Sequence, residues 1–316
     1  MPVKLVVTFF ASDDDLARLR AISDSLIVER SESRDDAIQR ARDAAIVFAG
    51  HFSDELWKHA PLLRWVQSGG AGIERFMTPD FIASPILLAN AAGVYAIPIA
   101  DHVMALILGF SRGLNRLVRA QMGHRWADEV EPDELMDKTL GVVGLGGIGT
   151  EVARRAKAFG LRVIATRRRP ELPSEFADEV RGADDLHWLL AESDYVALCS
   201  ALTQNTHKLV GEEELKKMKP TSYLINIGRG GLIDEPALIA ALKAGLIAGA
   251  GLDVFAEEPL PTDNPLWDLP TALITPHTAG SSPRSHARLM DLFCENVRRY
   301  LAGEELLNVV DKGEGY

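Results

Sequence analysis

The 316-residue sequence predicts an α/β chain of two doubly wound, parallel-sheet domains. Three observations carry that reading. Short apolar runs alternate with amphipathic stretches in the first hundred residues and again after residue 138. A glycine-rich turn, "GLGGIG" (Gly144 to Gly149), stands between a strand-like run and a helical one. An amphipathic segment, Ser285 to Leu301, follows after the second series is complete, and is expected to return to the first domain. With 47% hydrophobic and 25% charged residues, the chain reads as soluble and globular, with enough length for two cores. A net charge of −11 argues against a nucleic-acid partner, which requires a basic face.

In chain order, "KLVVTFF", "AAIVFAG", "LLRWVQS" and "ILLAN" read as strands, and the segments around Leu16–Ser25, Arg34–Arg42 and Ser53–Ala60 as helices. "IPIADHVMALILGF" (Ile97 to Phe110) is the most apolar long stretch; it is too short to span a bilayer and carries Asp101 and His102, so it reads as a buried helix. Its pattern continues through "SRGLNRLVRAQMGHRW", predicting one long linking helix. Strands follow at "TLGVVG", "LRVIAT", "YVALCS", "SYLINIG", "AGAGLDV" and "ALITPH", with helices at "TEVARRAKAF", "ADDLHWLLAES", "EEELKKM" and "EPALIAALKAG". The opening "MPVKLVVTFFASDDD" reads as a first strand and not a leader, because three aspartates end its apolar run. Two cysteines, Cys199 and Cys294, make no disulfide framework and have no metal-ligand spacing, so no metal is expected and the cytoplasm is the expected compartment. No membrane partner is expected either.

The glycines have distinct tasks. Gly144 allows a tight turn out of the strand, Gly146 lets backbone approach a pyrophosphate, and Gly149 lets the helix pack close to the sheet. The N–H groups of Gly147 and Ile148 then face phosphates from a helix N-terminus. In such sites the second strand usually ends in an acid that holds the adenosine ribose. Here that place holds Thr166, Arg167, Arg168 and Arg169. An acid would repel the 2′-phosphate that distinguishes NADP from NAD, whereas a guanidinium forks onto it. NADP(H) is therefore expected over NAD(H), with Thr166, Arg167 and Arg168 as contacts; a solvated basic loop is the plainer alternative.

"GLGGIG", "SYLINIGRGGLIDEPALIAALKAGLIAGAGLDVFAEEPLP" and "NPLWDLPTALITPHTAG" resemble the D-isomer-specific 2-hydroxyacid dehydrogenases, strongly over Lys138–Gly280. In the first domain the likeness rests on "QSGGAGIERF" and "NAAGVYAIPIADHVMAL". The resemblance implies a Rossmann cofactor domain (residues 101–280) inserted in a flavodoxin-like substrate domain (residues 1–100 and 281–316), with a cleft between them. It implies a 2-keto acid or D-2-hydroxy acid substrate, with glyoxylate or hydroxypyruvate as the nearest analogy, and a homodimer built on the linking helix and the arm after it, Ala100 to Asp137.

It also implies a catalytic set. Arg229 in "NIGRGG" matches the substrate arginine, Glu258 the acid partner and His277 in "TPHTAG" the proton donor. The chemistry is coherent: an imidazolium neutralises charge developing on the reduced carbonyl, a carboxylate orients the ring, and arginine grips the substrate carboxylate. Glu257 is the alternative partner for His277, while Arg229 as a surface residue and His277 as a turn cap are the plainer readings. By the same resemblance Ile227, Gly228, Asp253, Ala279 and Gly280 lie by the nicotinamide, Asp253 holding its carboxamide unless it is a turn aspartate. Gly70, Ala71 and Gly72 match the loop whose N–H groups bind the substrate carboxylate, unless they form a plain turn. Asp101 stands where relatives more often have Glu. His51, His59, His124, His187, His207 and His286 lack comparable context and read as structural or exposed. A dinucleotide-sensing corepressor on the same fold is the competing class. Formate oxidation is the weaker expectation within the family, as no long extension precedes the first strand.

Overall fold

The computed structural model describes residues 2–50 and 52–314; His51 lies outside them. The chain forms two compact units, Met1–Tyr95 with Ser282–Tyr316, and Ala96–Ser281.

In the first unit, β1 (Val3–Val7), β2 (Leu26–Arg30), β3 (Ile46–Ala49), β4 (Trp65–Ser68) and β5 (Leu87–Ala89) form an all-parallel sheet in the order β2-β1-β3-β4-β5. This is the flavodoxin-like order. Helices α1 (Asp13–Arg20), α2 (Arg34–Ala41), α3 (Asp54–Lys58) and α4 (Pro79–Ala83) connect the strands. Serines start the first three: Ser12, Ser33 and Ser53 each accept from the backbone N–H three residues on. At α1 the bond is reciprocal, as Asp15 accepts from the Ser12 N–H at 2.9 Å.

The second unit opens with α5 (Ala96–Ser111) and α6 (Leu114–Met122). It continues through β6 (Thr139–Val143), α7 (Gly147–Ala158), β7 (Arg162–Thr166), β8 (Glu179–Arg181), α8 (Leu186–Glu192), β9 (Tyr195–Leu198) and α9 (Glu212–Leu215). β10 (Tyr223–Asn226), α10 (Glu235–Lys243), β11 (Gly249–Leu252) and β12 (Ala272–Ile274) complete it. All seven strands are parallel, in the order β12-β11-β10-β9-β6-β7-β8. The order reverses between β6 and β9, the switch point at which doubly wound sheets hold their ligands. One sheet face carries Val142, Ala165, Ala197 and Ile225 against Val103, Ile107 and Val152 of α5 and α7; the other carries Ile164, Val196 and Leu224 against Leu189, Leu238 and Leu242. Burial on both faces explains why β6, β9 and β11 are apolar without alternation.

The last helix, α11 (Ser285–Ala302), belongs to the first unit and closes one face of its sheet. Phe293 packs on Phe48 with ring centroids 4.1 Å apart. Asn296, fully buried, donates to Gln67 Oε1 and the Leu307 carbonyl and accepts from the Leu307 N–H, tying α11 to β4 and to the chain that follows.

The fold departs from the sequence reading in the linking helix and in two edge strands. The linking helix is not continuous: it breaks at Arg112–Gly113, and α5 and α6 meet at a bend of 71°. Gly113 takes the left-handed conformation (φ 65°) at the break, and an added Cβ there would lie 2.6 Å from Val130. β2 and β8 are additional strands. Both lie at sheet edges and carry charged residues ("LIVER", "EVR"), so they lack the apolar runs of central strands. No single helix among the described residues is long and apolar enough to cross a membrane; α5 and α6 reach that length and composition only as the bent pair.

Candidate active site

The strands of the second unit are parallel, so their carboxyl ends share one edge, and the residues singled out there as site residues lie at that edge: in strand-end loops, at the last residue of β7 (Thr166) or in the first turn of α7 (Gly147, Ile148 and Gly149). The glycine turn leaves β6. Gly144 has φ 97°, and a Cβ on it would press into Ser200, two residues past the end of β9. A Cβ on Gly149 would come 2.2 Å from the Gly144 carbonyl, so only glycine allows α7 to start this close to the strand. Gly146 differs: its φ is −92°, and an added Cβ would meet no atom within 4 Å. Nothing in the protein requires that glycine, whereas a pyrophosphate lying on the N-terminus of α7 would.

At the end of β7, Thr166 is buried, and its carbonyl accepts from the Gly144 N–H at 2.9 Å, joining the two strand ends. Arg167 is half-buried, reaches the Pro173 carbonyl weakly at 3.4 Å, and has no hydrogen-bond partner on its buried Nε. Among the described residues no carboxylate pairs with it, although most arginines nearby, such as Arg162 and Arg181, are paired. A buried guanidinium N–H without an acceptor is costly, and a phosphate oxygen would satisfy it. Arg168 and Arg169 are exposed. The open glycine and the unsatisfied arginine both fit a phosphorylated dinucleotide.

Ser200 also links the turn to the next loop, because a Cβ on Gly228, after β10, would lie 3.0 Å from its carbonyl. Asn226, 1% exposed, braces that loop: its amide donates to the Arg229 carbonyl and its oxygen accepts from the Gly228 N–H. Arg229 is half-buried, with Nη1 2.7 Å from the Gly228 carbonyl. Gly230 lies so close to the chain after β11 that a Cβ would come 1.9 Å from the Phe255 backbone. The arginine loop and the glutamate loop therefore touch through backbone.

Glu258, not Glu257, is the partner of His277. Its Oε1 accepts from the Phe255 N–H at 2.9 Å, and its Oε2 lies 2.6 Å from His277 Nδ1. The carboxylate accepts, so Nδ1 carries hydrogen and Nε2 is the nitrogen left to exchange a proton; half of the His277 side chain is exposed. His277 itself has φ 52°, a left-handed conformation that costs a non-glycine residue about 1–2 kcal/mol. Its N–H is held by the Asp253 and Thr275 carbonyls.

Asp253 organises that turn. The side chain is 1% exposed. Oδ1 accepts from the Thr275 hydroxyl (2.6 Å) and the Thr278 N–H (2.9 Å), and Oδ2 from the Ala279 N–H (2.9 Å). Ile227 and Ala279 are buried in the same core cluster; Gly228 and Gly280 are half-buried. Asp101 takes up a surface role, accepting from Arg155 Nε at 2.6 Å. Cys199 and Cys294 are unpaired. Burial pushes the Cys199 thiol up to about 12 and raises Cys294 as well, which disfavours the thiolate form of both.

In the first unit, the Gly70–Gly72 loop leaves the carboxyl end of β4. Its carbonyls are held: Gly69 by the Tyr95 hydroxyl, Gly70 by the Ala91 N–H and Ala71 by the Asn90 amide. The Gly70 N–H turns inward to Ser68 Oγ (3.2 Å), which, among the described residues, leaves the N–H groups of Ala71 and Gly72 as the open donors. Of the remaining histidines, His286 pairs with Asp15 and His187 with Glu214. Ser200, Asn226, Thr275 and His102 were not singled out from sequence. Each is a polar residue ending or facing an apolar run, and that is the signal that could have found them.

This unit is of a definite class: a doubly wound, dinucleotide-binding domain with a histidine–carboxylate pair among its strand-end loops. Residues 104–279 match the family model described as D-isomer specific 2-hydroxyacid dehydrogenase, NAD binding domain. The chain is 34% identical over 305 residues to a glyoxylate/hydroxypyruvate reductase B of Pectobacterium carotovorum subsp. carotovorum, covering 95% of each chain. Among solved structures it is similar to a D-isomer specific 2-hydroxyacid dehydrogenase from Xanthobacter autotrophicus Py2 in complex with NADPH and MES, at TM-score 0.88 and 30% identity over 100% of both chains. It is also similar to an NADPH-dependent glyoxylate/hydroxypyruvate reductase from Sinorhizobium meliloti in complex with NADP and sulfate, at TM-score 0.87 and 26% identity, covering 99% of this chain and 100% of that one. The chain belongs to the D-isomer specific 2-hydroxyacid dehydrogenases and is an NAD(P)-dependent enzyme of that family.

The two glycines should separate packing from binding. Gly146→Ala should leave the melting temperature unchanged yet weaken NADPH binding about tenfold or more, because a methyl group fits the protein but not the phosphate approach. Gly149→Ala should lower both. Nucleotide fluorescence titration and thermal melts check the pair; full NADPH affinity in Gly146→Ala would show that the pyrophosphate lies elsewhere.

Proposed function

We propose that this protein is an NADP(H)-preferring reductase that converts a small 2-keto acid to the D-2-hydroxy acid, with glyoxylate or hydroxypyruvate as the substrate class. The observation that carries the reading is the His277–Glu258 pair, which holds Nδ1 and leaves Nε2 exposed. The nicotinamide, when bound, supplies the hydride. His277 gives the carbonyl oxygen its proton from Nε2, Glu258 holds the ring in that orientation, and Arg229 binds the substrate carboxylate. In the Gly70–Gly72 loop, Ala71 and Gly72 offer backbone donors for a substrate carboxylate, while Gly70 shapes the turn. Asp253, Ile227, Gly228, Ala279 and Gly280 border the nicotinamide. The Pectobacterium and Sinorhizobium relatives bear glyoxylate/hydroxypyruvate reductase names, which supports the substrate class.

NADP preference rests on Arg167, whose unsatisfied Nε awaits a phosphate, with Thr166 and Arg168 beside it. The NADPH and NADP complexes of the two structural relatives support it. The unpaired cysteines fit a reducing compartment, the cytoplasm. A homodimer completes the reading. On α6, Leu114, Val118 and Met122 fall four apart on one face and are exposed, Met122 by 80%, and Trp126 beyond them is 90% exposed. An apolar stripe of this kind calls for a partner.

Three measurements test these points. kcat/KM should be at least about tenfold higher with NADPH than with NADH, since a charge-assisted hydrogen bond is worth roughly 1.5–3 kcal/mol; Arg167→Asp should shift the ratio toward NADH, and equal efficiency in the parent would sink the cofactor reading. His277→Ala should lose about 100-fold or more in kcat with NADPH binding kept, whereas Arg229→Lys should chiefly raise KM for the keto acid because an ammonium lacks the planar fork. Undiminished turnover by His277→Ala would name another proton donor, and a dinucleotide sensor would show no keto-acid turnover at all. Light scattering at micromolar concentration should give the mass of two chains, falling to one in Val118→Asp/Met122→Asp; a monomeric parent refutes the dimer.

A further inference from the structure

We propose that His102, on α5, is a positioning residue for the hydride-transfer site, acting through Thr275 on Asp253 and so on the turn that carries His277. The inference rests on the roles given above to Asp253 and His277. His102 Nε2 lies 2.9 Å from Thr275 Oγ1 and 3.8 Å from Asp253 Oδ1, and the Thr275 hydroxyl lies 2.6 Å from Asp253 Oδ1.

The direction of this chain of bonds follows from proton count. Asp253 takes backbone N–H bonds on both oxygens, from Thr278 and Ala279, as a carboxylate does. The single hydroxyl proton of Thr275 therefore goes to Asp253. Thr275 Oγ1 then has only lone pairs to offer His102, so His102 Nε2 must carry hydrogen. The order is His102 N–H to Thr275 O–H to Asp253, every link a donor facing an acceptor.

Three of the four acceptor positions of Asp253 are thus filled from inside the protein, and one remains, on Oδ2. That remaining position is where a nicotinamide carboxamide N–H would bind. Its direction depends on the carboxylate plane, which the Thr275 hydroxyl helps to set. The same residue's carbonyl holds the His277 N–H, which keeps His277 in its left-handed conformation. Turning the Asp253 carboxylate would disturb the nicotinamide end and the proton donor together, and the adenosine end not at all. α5 is otherwise packed with apolar side chains, and a leucine would fill the same volume, so packing alone does not account for an oriented imidazole there.

The test compares His102→Leu, His102→Gln, Thr275→Val and the His102→Leu/Thr275→Val double variant. Two ligands are titrated: the preferred dinucleotide and its adenosine-end fragment, 2′,5′-ADP for NADPH or ADP for NADH. We expect His102→Leu and Thr275→Val each to lower kcat by about tenfold or more, since small displacements at a reacting centre carry penalties of this order. Dinucleotide affinity should fall severalfold, with fragment affinity within about twofold of the parent. His102→Gln, whose amide N–H can replace Nε2–H, should restore most of the loss. The double variant should be no worse than the worse single, because both cut one chain. Unchanged dinucleotide affinity in His102→Leu, equal losses for dinucleotide and fragment, or additive effects in the double variant would each overturn the proposal. If His102→Leu does not fold, Thr275→Val, which keeps the side-chain shape, carries the same comparison. If the parent reduces no keto acid, the proposed function fails while the two binding titrations still decide this inference.

Discussion

A single buried carboxylate holds one end of the site. Asp253 follows β11, is all but inaccessible to water, and is surrounded by donors from the loop after β12. Burying a charge is costly unless hydrogen bonds replace its water, and here one hydroxyl and two backbone N–H groups do so. The bonds in turn determine the backbone. A segment that must present Thr275, Thr278 and Ala279 to one residue turns sharply, and His277 sits where the turn passes through positive φ. The strain is local and is offset by bonds to the same aspartate. What results is an imidazole on a rigid turn, reached by a glutamate whose own position is set by the Phe255 N–H.

The site is thus built from strand-end loops that brace one another in sequence. Ser200 packs against both Gly144 and Gly228, Asn226 closes the loop to Arg229, and Gly230 lies against the Phe255 backbone that leads to Glu258. At each contact a glycine lets backbone meet backbone, so the spacing between loops is set by main-chain atoms with few conformational options. Side chains on long flexible stems would hold the same groups less precisely, and proton or hydride transfer is sensitive to displacements well below the length of a side chain.

Much of this was legible in the residues. The parallel sheets follow from alternating runs and the glycine turn from three spaced glycines, while motif resemblance pointed to Arg229, Glu258 and His277, of which the structure pairs Glu258 with His277. What the sequence could not give was mutual arrangement. Glu257 and Glu258 are equivalent as letters, and only the bond to His277 Nδ1 separates them. β2 and β8 were missed because edge strands bury one face and carry charge on the other, so they lack the apolar signal. The long helix was overextended because its apolar periodicity continues past Gly113, where a left-handed residue changes direction at little cost to the pattern. His102 and Thr275 carry no local motif, since they lie 173 positions apart, and Thr275 lies 22 from Asp253, so only the fold brings the three together.

Electrostatics explains why the arginines are where they are. The chain carries a net charge of −11, and both a dinucleotide phosphate and a keto acid are anions, so the average field opposes both. At physiological ionic strength that field is screened over about 8 Å, whereas contacts at hydrogen-bond distance are not. A few cations at the right strand ends therefore outweigh the many acids distributed over the surface. Arg167, just past the end of β7, is such a cation: half-buried, where lower effective dielectric strengthens pairing, and bonded only weakly to the Pro173 carbonyl, which leaves its charge uncancelled among the described residues. A carbonyl can orient a guanidinium plane without neutralising it, and an anion placed against Arg167 would satisfy both its charge and its buried Nε.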